Sequence, residues 1–118
     1  MPNIKLTIGV TTLSATLVNN SSTAALIGLL SQGPFTIEMV DYDNMEKVGG
    51  LGVSLPTNNE QITTSPGDLI LYQGNALVIY YAPNSWNFTR LGKIDNTTAD
   101  ELISVLGNGS VTVTLSLE

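Results

Sequence analysis

The chain has 118 residues, ten Asp and Glu against four Lys and Arg, a formal net charge of −6, and neither cysteine nor histidine. The length suits one hydrophobic core, and no internal repeat or composition break interrupts it, so a single domain over residues 1–118 is expected. The negative balance argues against a nucleic-acid or anionic-membrane surface, and the missing Cys and His remove disulfides, thiolate chemistry and the commonest acid/base group and metal ligand.

No apolar run is long enough to span a bilayer, and Met1-Pro2-Asn3 lacks the basic-then-apolar pattern of a signal peptide. A cytoplasmic protein is expected, or a secreted one if a signal segment has been removed.

Ile4, Leu6 and Ile8 alternate with Lys5 and Thr7, and Leu13, Ala15 and Leu17 alternate with Ser14 and Thr16, which predicts a half-buried hairpin turning near Gly9-Val10-Thr11. Asn19-Asn20-Ser21-Ser22 offers N-caps for a short helix burying Ala25, Leu26, Leu29 and Leu30, stopped by Gly33-Pro34. Phe35, Ile37 and Met39 predict a third strand. Asp41 to Glu46 reads as a solvated loop, or as a strand pair around an Asp43-Asn44 turn; Gly49-Gly50-Leu51-Gly52 reads as flexible. The span from about Asp41 to Ser65 is the least determined, and such irregular segments are often functional or mobile.

The strongest signal is the stretch from Pro66 to Tyr81, two β-branched and aromatic runs around Gly74-Asn75. A two-residue turn there pairs Tyr72 with Leu77, Leu71 with Val78, Ile70 with Ile79 and Leu69 with Tyr80. Both faces are apolar, so this hairpin is expected to be a covered central wall and not an edge. Trp86 to Ile94 predicts another strand. Thr98-Ala99-Asp100-Glu101 is a capping box for a second helix that buries Leu102, Ile103 and Leu106 and ends at Gly107. Val111, Val113, Leu115 and Leu117 make the last strand. A mostly antiparallel sheet hides its edges by closing, so an all-β closed barrel with two short capping helices is expected.

Leu91-Gly92-Lys93-Ile94, a capped helix, Gly107 and a final Thr112-Val113-Thr114 strand resemble the end of cyclophilins, where a Phe-Gly-Lys-Val strand end precedes the second helix. Leu55-Pro56-Thr57-Asn58, Gly67-Asp68-Leu69 and Phe88-Thr89-Arg90 are similar to segments of small, mostly prokaryotic cyclophilin-like proteins. The resemblance runs through nearly the whole chain and implies an eight-stranded, mostly antiparallel cyclophilin-like barrel. Cyclophilin prolyl isomerases carry a Phe-His-Arg segment whose arginine acts on the proline amide. The region near Phe35-Thr36-Ile37-Glu38 keeps an aromatic residue but has neither arginine nor histidine. Trp86 lies in about the place of the family's ligand-contacting tryptophan.

Arg90, the chain's one arginine, reads either as an anion or carbonyl binder or as an ion pair with Asp68 or Glu38. Tyr72, Tyr80, Tyr81, Trp86 and Phe88 read as barrel core or as the lining of an apolar cleft. Glu38, Asp41, Asp43 and Glu46 read as a solvated turn, since they lack the offsets of a calcium loop. The abundant hydroxyls have no activating base. The expected function is therefore a non-catalytic module binding a small molecule or an extended peptide near Arg90, Tyr81, Trp86 and Phe88, with no metal or cofactor. The alternatives are a weak or specialised prolyl isomerase, with Arg90 as its only candidate catalytic group, and an oligomer-forming scaffold with an exposed apolar patch.

Overall fold

The computed structural model describes residues 3–42, 46–107 and 109–118. The chain runs β1 (Asn3–Ile8), β2 (Thr11–Leu17), α1 (Ser21–Leu30), β3 (Phe35–Tyr42), β4 (Glu46–Gly50), β5 (Glu60–Thr63), β6 (Asp68–Tyr72), β7 (Ala76–Tyr80), β8 (Ser85–Ile94), α2 (Ala99–Leu106) and β9 (Val111–Leu117). Neighbouring strands follow the order β2-β1-β9-β3-β4-β7-β6-β8, and β8 pairs back with β2, closing an eight-stranded barrel. Every pairing is antiparallel. β5 is an additional strand, paired with the first half of β8.

The alternation read in the outer strands holds. Ile4, Leu6 and Ile8 of β1 and Val113 and Leu115 of β9 point into the barrel, while Lys5 and Thr112 are exposed. Leu26 and Leu30 of α1 and Leu102 and Leu106 of α2 join the same core. Asn20 caps α1, its side chain accepting from Thr23 N–H at 2.8 Å while the Thr23 hydroxyl accepts from Asn20 N–H. At α2 Thr98 accepts from Glu101 N–H at 3.2 Å, but the Glu101 carboxylate returns to the Thr98 hydroxyl and not to its backbone. Ile103, expected on the buried face, is exposed; α2 buries only Leu102 and Leu106, four residues apart on one stripe.

The central hairpin is a covered wall, between β4 and β8, but its register differs by one residue from the two-residue turn. Leu69 faces Ile79, Ile70 faces Val78, Leu71 faces Leu77 and Tyr72 faces Ala76. The turn's central residues are Gln73 and Gly74, with φ of 53° and 77°, and Asn75 N–H donates to Tyr72 C=O at 3.3 Å. Two positive φ values are the mark of a type I′ turn, and Asn75 is the extra residue of the loop. The shift turns β7 over relative to β6. Leu69, Leu71, Leu77 and Ile79 face the barrel interior, while Ile70, Val78 and Tyr80 form a second apolar layer with Ile62 and Phe88.

The span from Asp41 to Ser65 contains two strands that alternation does not reveal. β4 includes Gly49, where a side chain has no room: an added Cβ would lie 2.5 Å from Ile37 Cγ2 and 2.6 Å from Glu38 O. Position 49 takes glycine because β3 passes so close. The Asp43-Asn44 turn lies outside the described residues, but Tyr42 and Glu46 on either side of it pair. Residues 51–59 are irregular yet tied down. Leu51 N–H donates to Asn75 C=O, Leu55 N–H to Gly74 C=O and Asn58 N–H to Thr89 Oγ1, each within 2.8 Å. No helix among the described residues is long and apolar enough to cross a membrane.

Candidate functional site

The second apolar layer does not cover the whole outer face of the wall. Between β4, β7 and the first half of β8 it leaves a cavity of about 540 Å³. Side chains alternate across a strand, so the residues that line it come from the outward positions of each. β4 supplies Glu46 and Val48, β7 supplies Tyr80, and β6 ends with Tyr72. Trp86 and Phe88 come from β8, Tyr42 from the end of β3, and Asn84 from the loop after β7. The Phe88 ring meets Tyr80 with centroids 5.6 Å apart and Tyr72 edge-on at 6.3 Å, so the floor is a continuous aromatic surface. Trp86 and Tyr42 form the rim, at 61% and 59% exposure.

The polar groups converge at one end. Asn84 Nδ2 donates to the Tyr80 hydroxyl at 3.1 Å, and Tyr80 hydrogen-bonds the Glu46 carboxylate. Glu46 is only 7% exposed. The solvated reading of these acids holds for Glu38, which is exposed, but not for Glu46, which is buried, or Asp41, which is half-buried; Asp43 lies outside the described residues. Strand pairing, invisible to a charge count, turns the Glu46 and Asp41 side chains inward.

Arg90 and Tyr81 do not line the cavity. Arg90 Nη1 lies 3.2 Å from Asp68 Oδ2, and Asp68 also accepts from Ser65 N–H at 2.9 Å, which ties the start of β6 to β8. Tyr81 donates to Asp41 Oδ1, and Asp41 Oδ1 is 3.3 Å from the ammonium of Lys47. Lys47 alternates with Glu46 and Val48, so it faces the barrel interior; it is fully buried and donates a further hydrogen bond to Gly109 C=O. Of the four side chains that sequence marks for ligand contact, Trp86 and Phe88 meet at the cavity, and Arg90 and Tyr81 serve two separate ion-pair networks. Tyr72 and Tyr80 belong to the aromatic cluster read in the sequence. Tyr42, Glu46, Val48 and Asn84 carry no signal there; the alternation of Glu46 with Val48 is visible only once β4 is known to be a strand.

Among the described residues no three Asp, Glu, Cys or His side chains gather to hold a metal ion. Burial pushes both Tyr80 and Tyr81 phenols well above their ordinary value, with Glu46 adding at Tyr80 and Asp41 at Tyr81; the bond from Asn84 acts the other way. The folded protein therefore keeps protons that an unfolded chain releases near pH ~10, and stability falls as pH rises above that value. Alkaline titration followed at 295 nm is expected to show a late, steep phase coincident with unfolding, reduced in Tyr80→Phe and in Tyr81→Phe. A titration matching that of the denatured chain would show both phenols to be hydrated.

A model of the cyclophilin-like family matches residues 6–116. The chain belongs to this family. Among solved structures, the cyclophilin-like barrel is similar to a hypothetical protein from Archaeoglobus fulgidus, with a TM-score of 0.71 at 9% identity over 99% of this chain and 95% of that one. It is also similar to McbB in complex with tryptophan, with a TM-score of 0.61 at 15% identity over 98% of this chain and 44% of McbB. At such identities the likeness is one of fold. No curated protein sequence matches this chain.

Proposed function

We propose that this cyclophilin-like protein is a non-catalytic binding module that holds a small organic ligand in the outer-face cavity. The observation that carries the reading is the cavity itself: about 540 Å³, with an aromatic floor and its polar groups gathered at one end. Ligand sites commonly have this size and this mixture of an apolar wall with a few oriented polar groups. McbB, whose barrel is similar, has been seen with tryptophan, a ligand of suitable size. An extended peptide could enter the same cavity by one side chain.

Trp86 is the chain's only tryptophan and stands on the rim, so its fluorescence reports the cavity directly. A set of small aromatic, alicyclic and amine-bearing compounds is expected to shift Trp86 emission saturably, with the effect reduced in Tyr72→Ala. Absence of any saturable shift, together with no movement of the Trp86 indole signal in NMR, would overturn the reading. The competing reading, prolyl isomerisation through Arg90, has its own test. Acceleration of prolyl exchange on a model peptide that disappears in Arg90→Ala would move the function to the Asp68–Arg90 pair; uncatalysed exchange takes tens to hundreds of seconds, so modest catalysis is visible. No acceleration is expected, because the guanidinium is engaged by Asp68 and does not line the cavity.

A further inference from the structure

We infer that the ligand of the outer-face cavity is a compact organic cation, an alkylammonium group carried on a small molecule. This rests on reading the cavity as the binding site. Five aromatic rings, Tyr42, Tyr72, Tyr80, Trp86 and Phe88, contribute to its lining. The face of an aromatic ring is the negative pole of its quadrupole, and rings gathered around one space attract a cation into it, most strongly where water is displaced. Among the described residues, the one formally charged side chain in that lining is Glu46, and it is an acid. It sits at the buried end, 7% exposed, so its field acts through little solvent. Neither Lys47 nor Arg90 is among the residues that line the cavity; they pair with Asp41 and Asp68. The net charge of −6 adds attraction at long range.

The three contributions have the same sign. An anion would meet the ring faces and the Glu46 carboxylate, both repulsive. A neutral apolar molecule would gain burial and dispersion against the rings but no electrostatic attraction from rings or carboxylate. A strongly hydrated point charge such as a bare metal ion would lose its water to ring faces that cannot replace it. An alkylammonium group loses little hydration, fills the space with methyl or methylene groups, and presents a diffuse positive surface to the accessible rings of Tyr42, Tyr72 and Trp86.

The test compares choline with its neutral isostere 3,3-dimethylbutan-1-ol, which has nearly the same shape and no charge, by titration of Trp86 fluorescence and by NMR shifts. Choline is expected to bind roughly tenfold or more tightly than the alcohol, a difference of about 1.4 kcal/mol. Glu46→Gln should bring the two ligands close together by weakening choline alone, and added salt should do the same. Tyr42 is 59% exposed, so Tyr42→Leu removes one ring of the cage without touching the core, and should also weaken choline more than the alcohol. Equal binding of choline and the alcohol, or preference for the alcohol, would overturn the cation while leaving the cavity a binding site. Binding of neither, with other small compounds also inactive at Trp86, would overturn both readings. Choline affinity unchanged in both Glu46→Gln and Tyr42→Leu would place the cation elsewhere and overturn the inference.

Discussion

Lys47→Ala is expected to cost the protein about 3–5 kcal/mol, the usual consequence of removing one member of a buried ion pair. The Lys47 side chain is inaccessible to solvent, its ammonium lies 3.3 Å from Asp41 Oδ1, and it also donates to Gly109 C=O. Alanine leaves the half-buried Asp41 carboxylate without that ammonium, leaves the carbonyl without its donor, and opens a space the length of the lysine stem inside the barrel. Urea unfolding followed by circular dichroism measures the loss. The cause can be separated from the space by a second comparison. Lys47→Met fills the stem volume, so its cost isolates the charge. Lys47→Met with Asp41→Asn removes both charges and is expected to be more stable than Lys47→Met alone, because the surviving amide can still accept from Tyr81. If Lys47→Ala proves as stable as the parent, Lys47 reaches water and the interior end of the barrel is open.

Gly92→Ala is expected to be nearly as damaging, for a steric and not an electrostatic reason. Gly92 lies on β8 opposite Leu17 of β2, the pairing that closes the barrel. A Cβ at this position would stand 2.3 Å from Thr16 O and 2.9 Å from Leu17 Cα. Both are backbone atoms, which no side-chain rotation can move aside. The seam must widen, at a cost of about 3 kcal/mol, and the melting temperature should fall by roughly 10 °C. Gly50→Ala supplies the control: Gly50 is also in a strand, but an added Cβ there meets nothing within 4 Å. Its variant should melt close to the parent. Equal melting temperatures for Gly92→Ala and the parent would mean that β2 and β8 do not meet and the sheet is open.

Much of this fold is legible in the sequence because most of the strands have one face on the core. Ile4-Lys5-Leu6, Phe35-Thr36-Ile37 and Val111-Thr112-Val113 alternate so regularly that their burial follows from period two alone. The central wall is different. Leu69 to Leu71 and Leu77 to Tyr80 are apolar on both sides, so no polar residue betrays the register, and only the turn decides which faces match. Gly74-Asn75 and Gln73-Gly74 both satisfy a turn rule, and the structure uses the second. That one-residue choice brings Tyr80 onto the same side as Ile70, and hence to the aromatic surface. The candidate site is hard to read for the same reason. It is assembled by outward positions of strands distant in the chain, and one of them, β4, opens with two charges and ends with two glycines. Glu46 and Lys47 are adjacent, yet one faces the cavity and the other the barrel interior. Composition assigns Glu46 to a solvated turn and says nothing of Lys47, whereas the pleat sends the two to opposite environments.

The pairing of β1 with β9 has a bearing on how the chain acquires its shape. Ile4 lies opposite Leu117 and Leu6 opposite Leu115. β1 finds β2 at once across a short turn, but its other neighbour is β9, about a hundred residues further along the chain. Contacts between residues so far apart in sequence are slow to form, because the whole intervening chain must be ordered first. On a ribosome, then, the hairpin of β1 and β2 and the hairpin of β6 and β7 can form as they emerge, while the ring they belong to stays broken. Ring closure has to wait until β9 has been made, and until then β1 presents an open backbone edge to any neighbouring nascent chain.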